Sequence, residues 1–479
     1  MKVYDTLAKD FVEFQPLEDK KVIIYTCGLT PYDQAHIGHA RTYVAFDVIK
    51  RYLMHSGYSV FHIQNITDVD DKIINRCKET GADPKQLTEK NHSEALEMFD
   101  RLNILRADVY PKVTENIPTI IETIKKIIAN GYAYETATGV YFDVSKFRDY
   151  GKLSGQKLEE IIAGARKEVD ETKEDAADFA LWKKTNGEII EFDSPWGRGR
   201  PGWHIECTAM SLKYARRETI DIHGGARDLI FPHHENEIAQ SEAVTGKRFS
   251  KYWLHTGFLT VNGEKMSKSL GNFITIKDAL ERFHPMALRI FYLKSHYRSP
   301  VDYSEKNVIE AEEIYKKIVN TIQLMEEALK EKKEARSSDF QPQKVLQEFH
   351  TAMENDFDTP AALSSLFKLI HVINAEISKD EIDKKAVSEA REILDEMLSI
   401  LGIRIEQTRI KNEKEILEVA REFGINESNA EKAIEAAIAM REKARKEKNF
   451  QLSDRIRARF NEAGVIIEDK KEGARWRVK

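Results

Sequence analysis

The chain reads as an α/β protein in which a parallel-sheet domain is interrupted by an insertion and followed by an α-helical bundle and a small mixed α/β domain. Three observations predict this. β-Branched runs alternate with helical periodicity over the first hundred residues and again after about residue 202. Residues 108–201 lose that rhythm. Beyond about Val308 the pattern is helical almost throughout, apart from a charged break at 330–343 and two short strand-like runs near the end.

The first strand is "KVIIYTCG", from Lys21 to Cys27 and Gly28. The segment after it has helical spacing through Val44, Val48, Ile49 and Leu53, with Gly57 as its stop. "YSVFHIQNIT" is a second strand and "DVDDKIINRCKETG" a short helix. Strand, helix, strand, helix implies a parallel sheet with ligands at the carboxyl ends of its strands, where Cys27 falls. In the insertion, a helix over 117–130 leads to "GYAYETATGVYFDVS", a hairpin turning at Thr138 and Gly139. The βα rhythm resumes with the helix "GWHIECTAMSLKYA" and the strand "TIDIHGG". Next comes "FPHHENE", where Pro232 suits a first helical turn and Gly246 suits its end. On that helix His233 and Glu237 share a face, the spacing of metal ligands, while His234 and Glu235 point elsewhere. An isolated pair of this kind also fits a solvated first turn, so the remaining ligands must come from other segments. "YWLHTGFLTVNGEKMSKSLGN" reads as a hairpin turning at Asn262 and Gly263 with an exposed Lys- and Ser-rich loop behind it. From about Asn412 a final small domain begins, with strands at 465–467 and 476–478. The expected segments are 1–107 and 202–247 for the two halves of the parallel-sheet domain, 108–201 for the insertion, 248–310 for the Lys/Ser loop region, 311–404 for the bundle and 405–479 for the last domain.

At 32% charged and 41% hydrophobic residues, the 479-residue chain fits a water-soluble protein of about three domains. Its first residues lack an apolar signal region, and no apolar run approaches the ~18 residues of a membrane helix, so a cytoplasmic protein without membrane contact is expected. Three cysteines, Cys27, Cys77 and Cys207, exclude a disulfide framework and leave metal or catalytic roles open. The net charge of −6 argues against indiscriminate nucleic-acid binding, yet residues 441–479 carry 13 Lys or Arg against 7 Asp or Glu. That tail can meet a phosphate backbone while the body does not. No long apolar heptad seam demands a dimer, and a monomer is expected.

Two constellations carry chemistry. "HIGH", His36 to His39, opens the helix after the first strand, where unpaired N–H groups and positive potential attract anions. His36 and His39 add donors without the bulk of Arg, and Gly38 permits close approach to the backbone. "KMSKS", Lys265, Met266, Ser267, Lys268 and Ser269, places two lysines three apart on a loop ahead of Gly271, a cationic clamp for a polyphosphate. Alone, the first also fits half-buried histidines on an amphipathic helix and the second an inert surface loop.

Together the two motifs resemble the class I aminoacyl-tRNA synthetases. Within that class "CGLTPYDQAHIGH", "NITDVDDKI", "RPGWHIECTAM", "DIHGGARDLIFPHHENEIAQ", "EKMSKSLGN" and "NDFDTPAAL" resemble the cysteinyl-tRNA synthetases. The resemblance implies a Rossmann-type catalytic domain, activation of L-cysteine by ATP to cysteinyl-adenylate, and transfer to the 3′ end of the tRNA specific for cysteine. It carries one Zn2+ onto Cys27, Cys207, His233 and Glu237, and leaves Cys77 an ordinary buried thiol. Zinc takes a thiolate far more readily than a neutral hydroxyl, which gives the metal a role in separating cysteine from serine, a contrast that shape alone resolves poorly. Four protein ligands usually mark a closed site, so the substrate sulfur must add a fifth bond or loosen Glu237. His234 and Glu235 are then expected in supporting roles. Thr67, Asp68 and Trp203 would line the amino-acid pocket, Trp203 having core packing as its alternative. His223, Gly224 and Gly225 would approach the substrate amino group and adenosine, and Asp228 either the ribose or a helix N-cap. Mg2+ would enter with ATP. In the terminal domain Arg455, Arg457 and Arg459 would meet tRNA phosphates and Trp476 stack on an unpaired base, or else form a charged surface helix with a core tryptophan.

Two rivals remain open at this point. One is a ligase of the mycothiol type, joining cysteine to an amino sugar by the same adenylate chemistry but lacking the basic tail. The other is a non-catalytic tRNA-binding paralogue, which would be expected to have lost parts of the two motifs or of the ligand set.

Overall fold

A computed structural model describes residues 1–156, 172–335, 341–405, 412–470 and 473–478. Part of the insertion and the middle of the charged break after Lys330 lie outside the described residues. The chain divides into two compact units, Met1–Arg404 and Ile405–Lys479.

In the first unit an N-terminal hairpin, β1 (Lys2–Asp5) and β2 (Asp10–Glu13), precedes β3 (Lys21–Leu29), α1 (Ile37–His55), β4 (Ser59–Ile66), α2 (Asp71–Thr80) and α3 (Pro84–Arg101). The insertion contributes α4 (Ile117–Ala129) and an antiparallel sheet of β5 (Ala133–Glu135), β6 (Gly139–Phe142), β7 (Phe179–Lys184) and β8 (Gly199–Pro201), in that order. Then follow α5 (Trp203–Ala215), β9 (Ile220–Ala226), an irregularly wound segment from Arg227 to His234, α6 (Glu235–Thr245) and β10 (Ser250–Thr256). The main sheet is parallel with strand order β10-β9-β3-β4. The chain leaves β3 toward β4 and returns on the other side of β3 as β9, so the topological switch lies between β3 and β9, where open α/β sheets hold ligands.

The sequence reading missed β10 as a sheet strand and expected only the hairpin behind it. The reason is composition: "SKYWLHT" carries aromatic and polar residues rather than a β-branched run, yet every residue except Lys251 is buried. Its register brings Trp253 beside His223 of β9, which in turn lies beside Tyr25 of β3, so three aromatic side chains form a row across the sheet. The expected hairpin follows as β11 (Leu259–Val261) and β12 (Glu264–Lys265), with positive φ at both Asn262 (51°) and Gly263 (80°). A short parallel partner, β13 (Val301–Tyr303), pairs with β11 after α7 (Ile276–Arg282) and α8 (Pro285–Leu293).

The expected bundle is present as α9 (Glu305–Glu331), α10 (Pro342–Glu354), α11 (Thr359–Ile377) and α12 (Lys384–Ile400). It is joined to the sheet layer by Arg289 of α8, which is fully buried. The Arg289 guanidinium pairs with Asp47 of α1 and donates to the carbonyls of Leu401 (2.7 Å) and Leu102 (2.9 Å).

The second unit packs α13 (Glu413–Glu422), α14 (Ala430–Lys446) and α15 (Phe450–Glu462) against the antiparallel strands β14 (Val465–Lys470) and β15 (Gly473–Val478). Its core includes Ile416, Ile434, Ile456, Phe460, Val465 and Ile467. Among the described residues no helix is long and apolar enough to cross a membrane.

Candidate active site and metal centre

Four donors from three segments converge at the switch point. Cys27 ends the core-facing run of β3, Cys207 sits in the second turn of α5, and His233 and Glu237 flank the start of α6. All are buried, and one ligand atom from each lies within 4.8 Å of the others. Pro232 does not open the helix as expected. It lies in the irregular segment after a cis Phe231–Pro232 bond, and α6 begins at Glu235 and ends at Gly246 in the left-handed region (φ 67°). His233 and Glu237 keep the expected proximity, Nε2 to Oε1 3.0 Å.

Burying a carboxylate costs several kcal/mol, on the order of the penalty for any ion taken from water, so Glu237 needs cations or donors around it. His223 supplies one, its Nε2 lying 2.8 Å from Oε2 of Glu237. Burial opposes ionisation of Glu237, yet His223 and His233 outweigh it and hold the carboxyl well below the usual range. Burial also raises the Cys27 thiol, with Cys207 and Glu237 adding to the effect. Cys207 is buried as deeply, but its hydrogen bond with Cys27 and the charge of His233 bring it down to about 6. His233 is raised to about 10 against burial by Glu237 and Cys207.

This donor set fits a metal ion. Two thiols, an imidazole and a carboxylate point at one volume. The Nε2 of His233 has no aligned hydrogen bond although it is buried. On the far side of that ring, Nδ1 is 2.8 Å from Nδ1 of His204. Burial lowers the His204 pKa well below its ordinary value, so that ring is neutral and its contact with His233 holds the His233 imidazole in place. Trp203 closes this side, stacked on His233 at 4.1 Å with 39% of its surface exposed, which rules out the core-packing alternative.

The sequence placed His234 away from this cluster, and the structure corrects that. The irregular winding before α6 rotates the residue inward, so its Nε2 is 3.3 Å from Cys27 Sγ and its Nδ1 is 2.7 Å from Nε2 of His255 on β10. A second donor group, Cys27, His223, His234 and Glu237, is therefore as compact as the first. Glu235 does point elsewhere: its buried carboxylate accepts the backbone N–H groups of Gly151 (3.0 Å), Leu153 (3.1 Å) and Ser154 (2.8 Å), anchoring the insertion. Cys77 is a buried core thiol of α2.

At the start of α1 the helix end is not open, contrary to expectation. His36 Nδ1 accepts from the N–H groups of Gly38 (3.1 Å) and His39 (3.3 Å), while His39 Nδ1 accepts from the N–H of His36 (3.2 Å). The two rings stack at 3.6 Å. With each Nδ1 accepting, both protons reside on Nε2, so the histidines themselves are the donors offered to an anion. Both are neutral rather than cationic, because burial, with Lys72 and Lys268 nearby, lowers His36 to about 4, and burial together with His36 lowers His39 further. A side chain at Gly38 would press on the His36 ring at 3.0 Å and approach Met266 at 3.6 Å.

The Lys/Ser loop meets this helix mouth through Ile37 N to Ile274 O (3.1 Å) and Ile276 N to Ala35 O (2.9 Å). Lys265 is exposed, Ser267 N donates to Asn272 Oδ1 (2.8 Å), and the hydroxyls of Ser267 and Ser269 are 3.2 Å apart. Lys268 pairs with Asp33 of the loop before α1 and lies over the Phe273 ring at 5.2 Å. Asp33 was not anticipated; the "TPYDQ" loop offered no spacing signal.

The remaining expected residues divide. Thr67, just after β4, is buried and accepts from Asn65 Nδ2 (3.2 Å), and Asp68 is tied to Thr114 by its backbone N–H (3.1 Å) and hydroxyl (2.5 Å). His223 is buried against Trp253 at 4.4 Å with its Nε2 committed to Glu237. Gly224 is needed for Phe46 of α1, whose ring would lie 2.0 Å from an added Cβ, and Gly225 for the His234 ring at 3.0 Å. Asp228 is exposed and makes no capping bond. In the second unit Arg457 is exposed, Arg455 lies over Phe423 at 5.7 Å, and Arg459 is paired with Glu422 and Glu462. Trp476 is partly buried against the core of that unit, in keeping with the core alternative.

Comparison with known proteins accords with this arrangement. Residues 13–313 match the class I (C) tRNA synthetase catalytic domain, 348–406 the DALR domain and 429–477 the cysteinyl-tRNA ligase anticodon binding domain. The chain is similar to the cysteine–tRNA ligase of Thermococcus onnurineus, 46% identical across 100% of this chain and 99% of that protein. It is also similar to that of Carboxydothermus hydrogenoformans, 47% identical across the full length of both. In fold it resembles methionyl-tRNA synthetase of Mycobacterium tuberculosis bound by methionyl-adenylate, with TM-score 0.63 and 16% identity over 86% of this chain and 97% of that one. A catalytic sheet of this class, a helical domain and an anticodon-binding domain in one chain, matched at these identities over its whole length, place the protein in the cysteine–tRNA ligase family of class I aminoacyl-tRNA synthetases.

Proposed function

We propose that the chain activates L-cysteine with ATP and Mg2+ and transfers it to the 3′ end of the tRNA specific for cysteine, as a cytoplasmic monomer. The observation that carries this reading is the buried Cys27, Cys207, His233 and Glu237 group at the sheet's switch point. One zinc held there would supply a centre that takes a thiolate far more readily than a hydroxyl and so separates cysteine from serine. His204 holds the His233 ring in place, and His223 steadies Glu237.

Activation needs no general base, because the cysteine carboxylate is itself the nucleophile at the α-phosphorus. The Nε2–H groups of His36 and His39 face the phosphates with Lys265 and Lys268, whose charge stabilises the departing pyrophosphate. Lys268 must leave Asp33 to do so. Thr67, Asp68 and Trp203 line the amino-acid side of the pocket, while Gly224, Gly225 and Asp228 border the adenosine. Arg455 and Arg457 are the exposed cations of the 455–459 stretch and the first candidates for tRNA phosphate contact. The amino-sugar ligase reading gives way because residues 429–477 match an anticodon-binding domain. The non-catalytic reading has nothing to support it, since both motifs and the donor set are intact.

Cysteine-dependent ATP–pyrophosphate exchange, measured beside serine before and after removal of bound metal, tests the reading. Cysteine-specific exchange that disappears with the metal and returns with zinc is expected. Exchange that survives complete metal removal, or proceeds equally with serine, would remove zinc from selection.

A further inference from the structure

We infer that the enzyme carries a second divalent-metal site, remote from the active centre, formed by His55, His350 and Glu396 where α1 meets the helical bundle. His55 ends α1, His350 lies on α10 and Glu396 on α12. Nε2 of His350 is 3.0 Å and Nε2 of His55 3.3 Å from the same carboxylate oxygen, Oε1 of Glu396. The two imidazoles stack at 5.1 Å with 13° between their planes, so both nitrogens point into one volume. One ligand atom from each residue lies within 4.8 Å of the others.

This convergence is fixed by packing rather than by three mobile side chains meeting by chance. On α10 and α12, Gln343 bonds Glu389 (2.6 Å) and His350 meets Glu396, pairs exactly one heptad apart on both helices. On α1, Arg51 donates to Ser399 O of α12 (3.3 Å), one turn before His55 meets Glu396. Tyr52 closes the site from beneath, its hydroxyl donating to His350 O at 3.4 Å.

Two nitrogens and one carboxylate oxygen are a zinc-type set. The side chains retain 37, 26 and 32% exposure for His55, His350 and Glu396, which leaves the open side to water ligands. An ion bound there would bridge three helices, one of which begins with His36 and His39, and so fasten the catalytic layer to the bundle.

The test is equilibrium dialysis of the full-length, zinc-loaded enzyme against buffered free Zn2+, with bound metal counted by emission spectrometry. It is run on the wild type, His350→Ala and Glu396→Gln, with His371→Ala as a surface control. The wild type and the control should bind one equivalent more than either cluster variant, and Zn2+ should raise the melting temperature further in the wild type than in the variants. Glu396→Gln keeps the volume and a hydrogen-bonding oxygen, so its loss of metal without loss of fold isolates ligation. Equal stoichiometry in all four proteins would overturn the site.

Discussion

At the scale of single residues, the account rests on side chains that face one another across the sheet's carboxyl edge. Cys27→Ser and His233→Ala are each expected to lose the bound metal and cysteine activation together, read by metal content and pyrophosphate exchange, with the circular dichroism spectrum retained. Lys268→Ala should slow adenylate formation by about 100-fold, the usual effect of deleting one charge-stabilising donor, with little change in cysteine affinity. A single-turnover rate within a few-fold of wild type would exclude that lysine. A pH effect follows from His62, whose burial lowers it to about 3. The folded state excludes a proton that the unfolded chain accepts near pH 6.5, so this stability is complete above that pH and is lost as pH falls toward the folded value. At pH 5 the loss from His62 alone is about 2 kcal/mol. Urea melts at pH 7 and pH 5 should show acid destabilisation, smaller in His62→Gln. The convergence of Cys27, Cys207, His233 and Glu237 was legible in the sequence because their residue types and motif context were distinctive. His204, His255 and Asp33 were not, since each acts through a contact made only when separate segments fold together.

At the scale of elements, α6 shows how a local irregularity sets chemistry. A regular helix from Pro232 would direct His234 away from Cys27; the wound segment before Glu235 turns it inward. Glu235 holds the insertion by three backbone donors. Glu235→Ala leaves buried N–H groups unpaired and should cost about 1–3 kcal/mol, with faster protease cleavage near residues 151–154. Unchanged stability and cleavage would deny the anchor. The helices and hairpins were legible from periodicity and turn residues, Asn262 and Gly263 most clearly. Strand β10 was not, because a strand buried on both faces that carries Tyr, Trp and His shows no alternation to read.

At the scale of the molecule, catalysis and acceptor recognition are divided between units. The first, Met1–Arg404, contains the sheet, the HIGH and KMSKS motifs and the donor cluster; the second contains the basic helix and terminal strands. A chain ending at Arg404 should therefore retain cysteine-dependent pyrophosphate exchange and lose most tRNA charging. Fold class was legible at this scale because βα alternation, its interruption and the helical run each span many residues. The central claim is that this chain charges the cysteine tRNA and rejects serine. It is tested most directly by aminoacylation of purified tRNA specific for cysteine with labelled cysteine, run beside labelled serine. Robust charging with cysteine and negligible charging with serine is predicted; exchange without charging, or serine charged as readily, would contradict it.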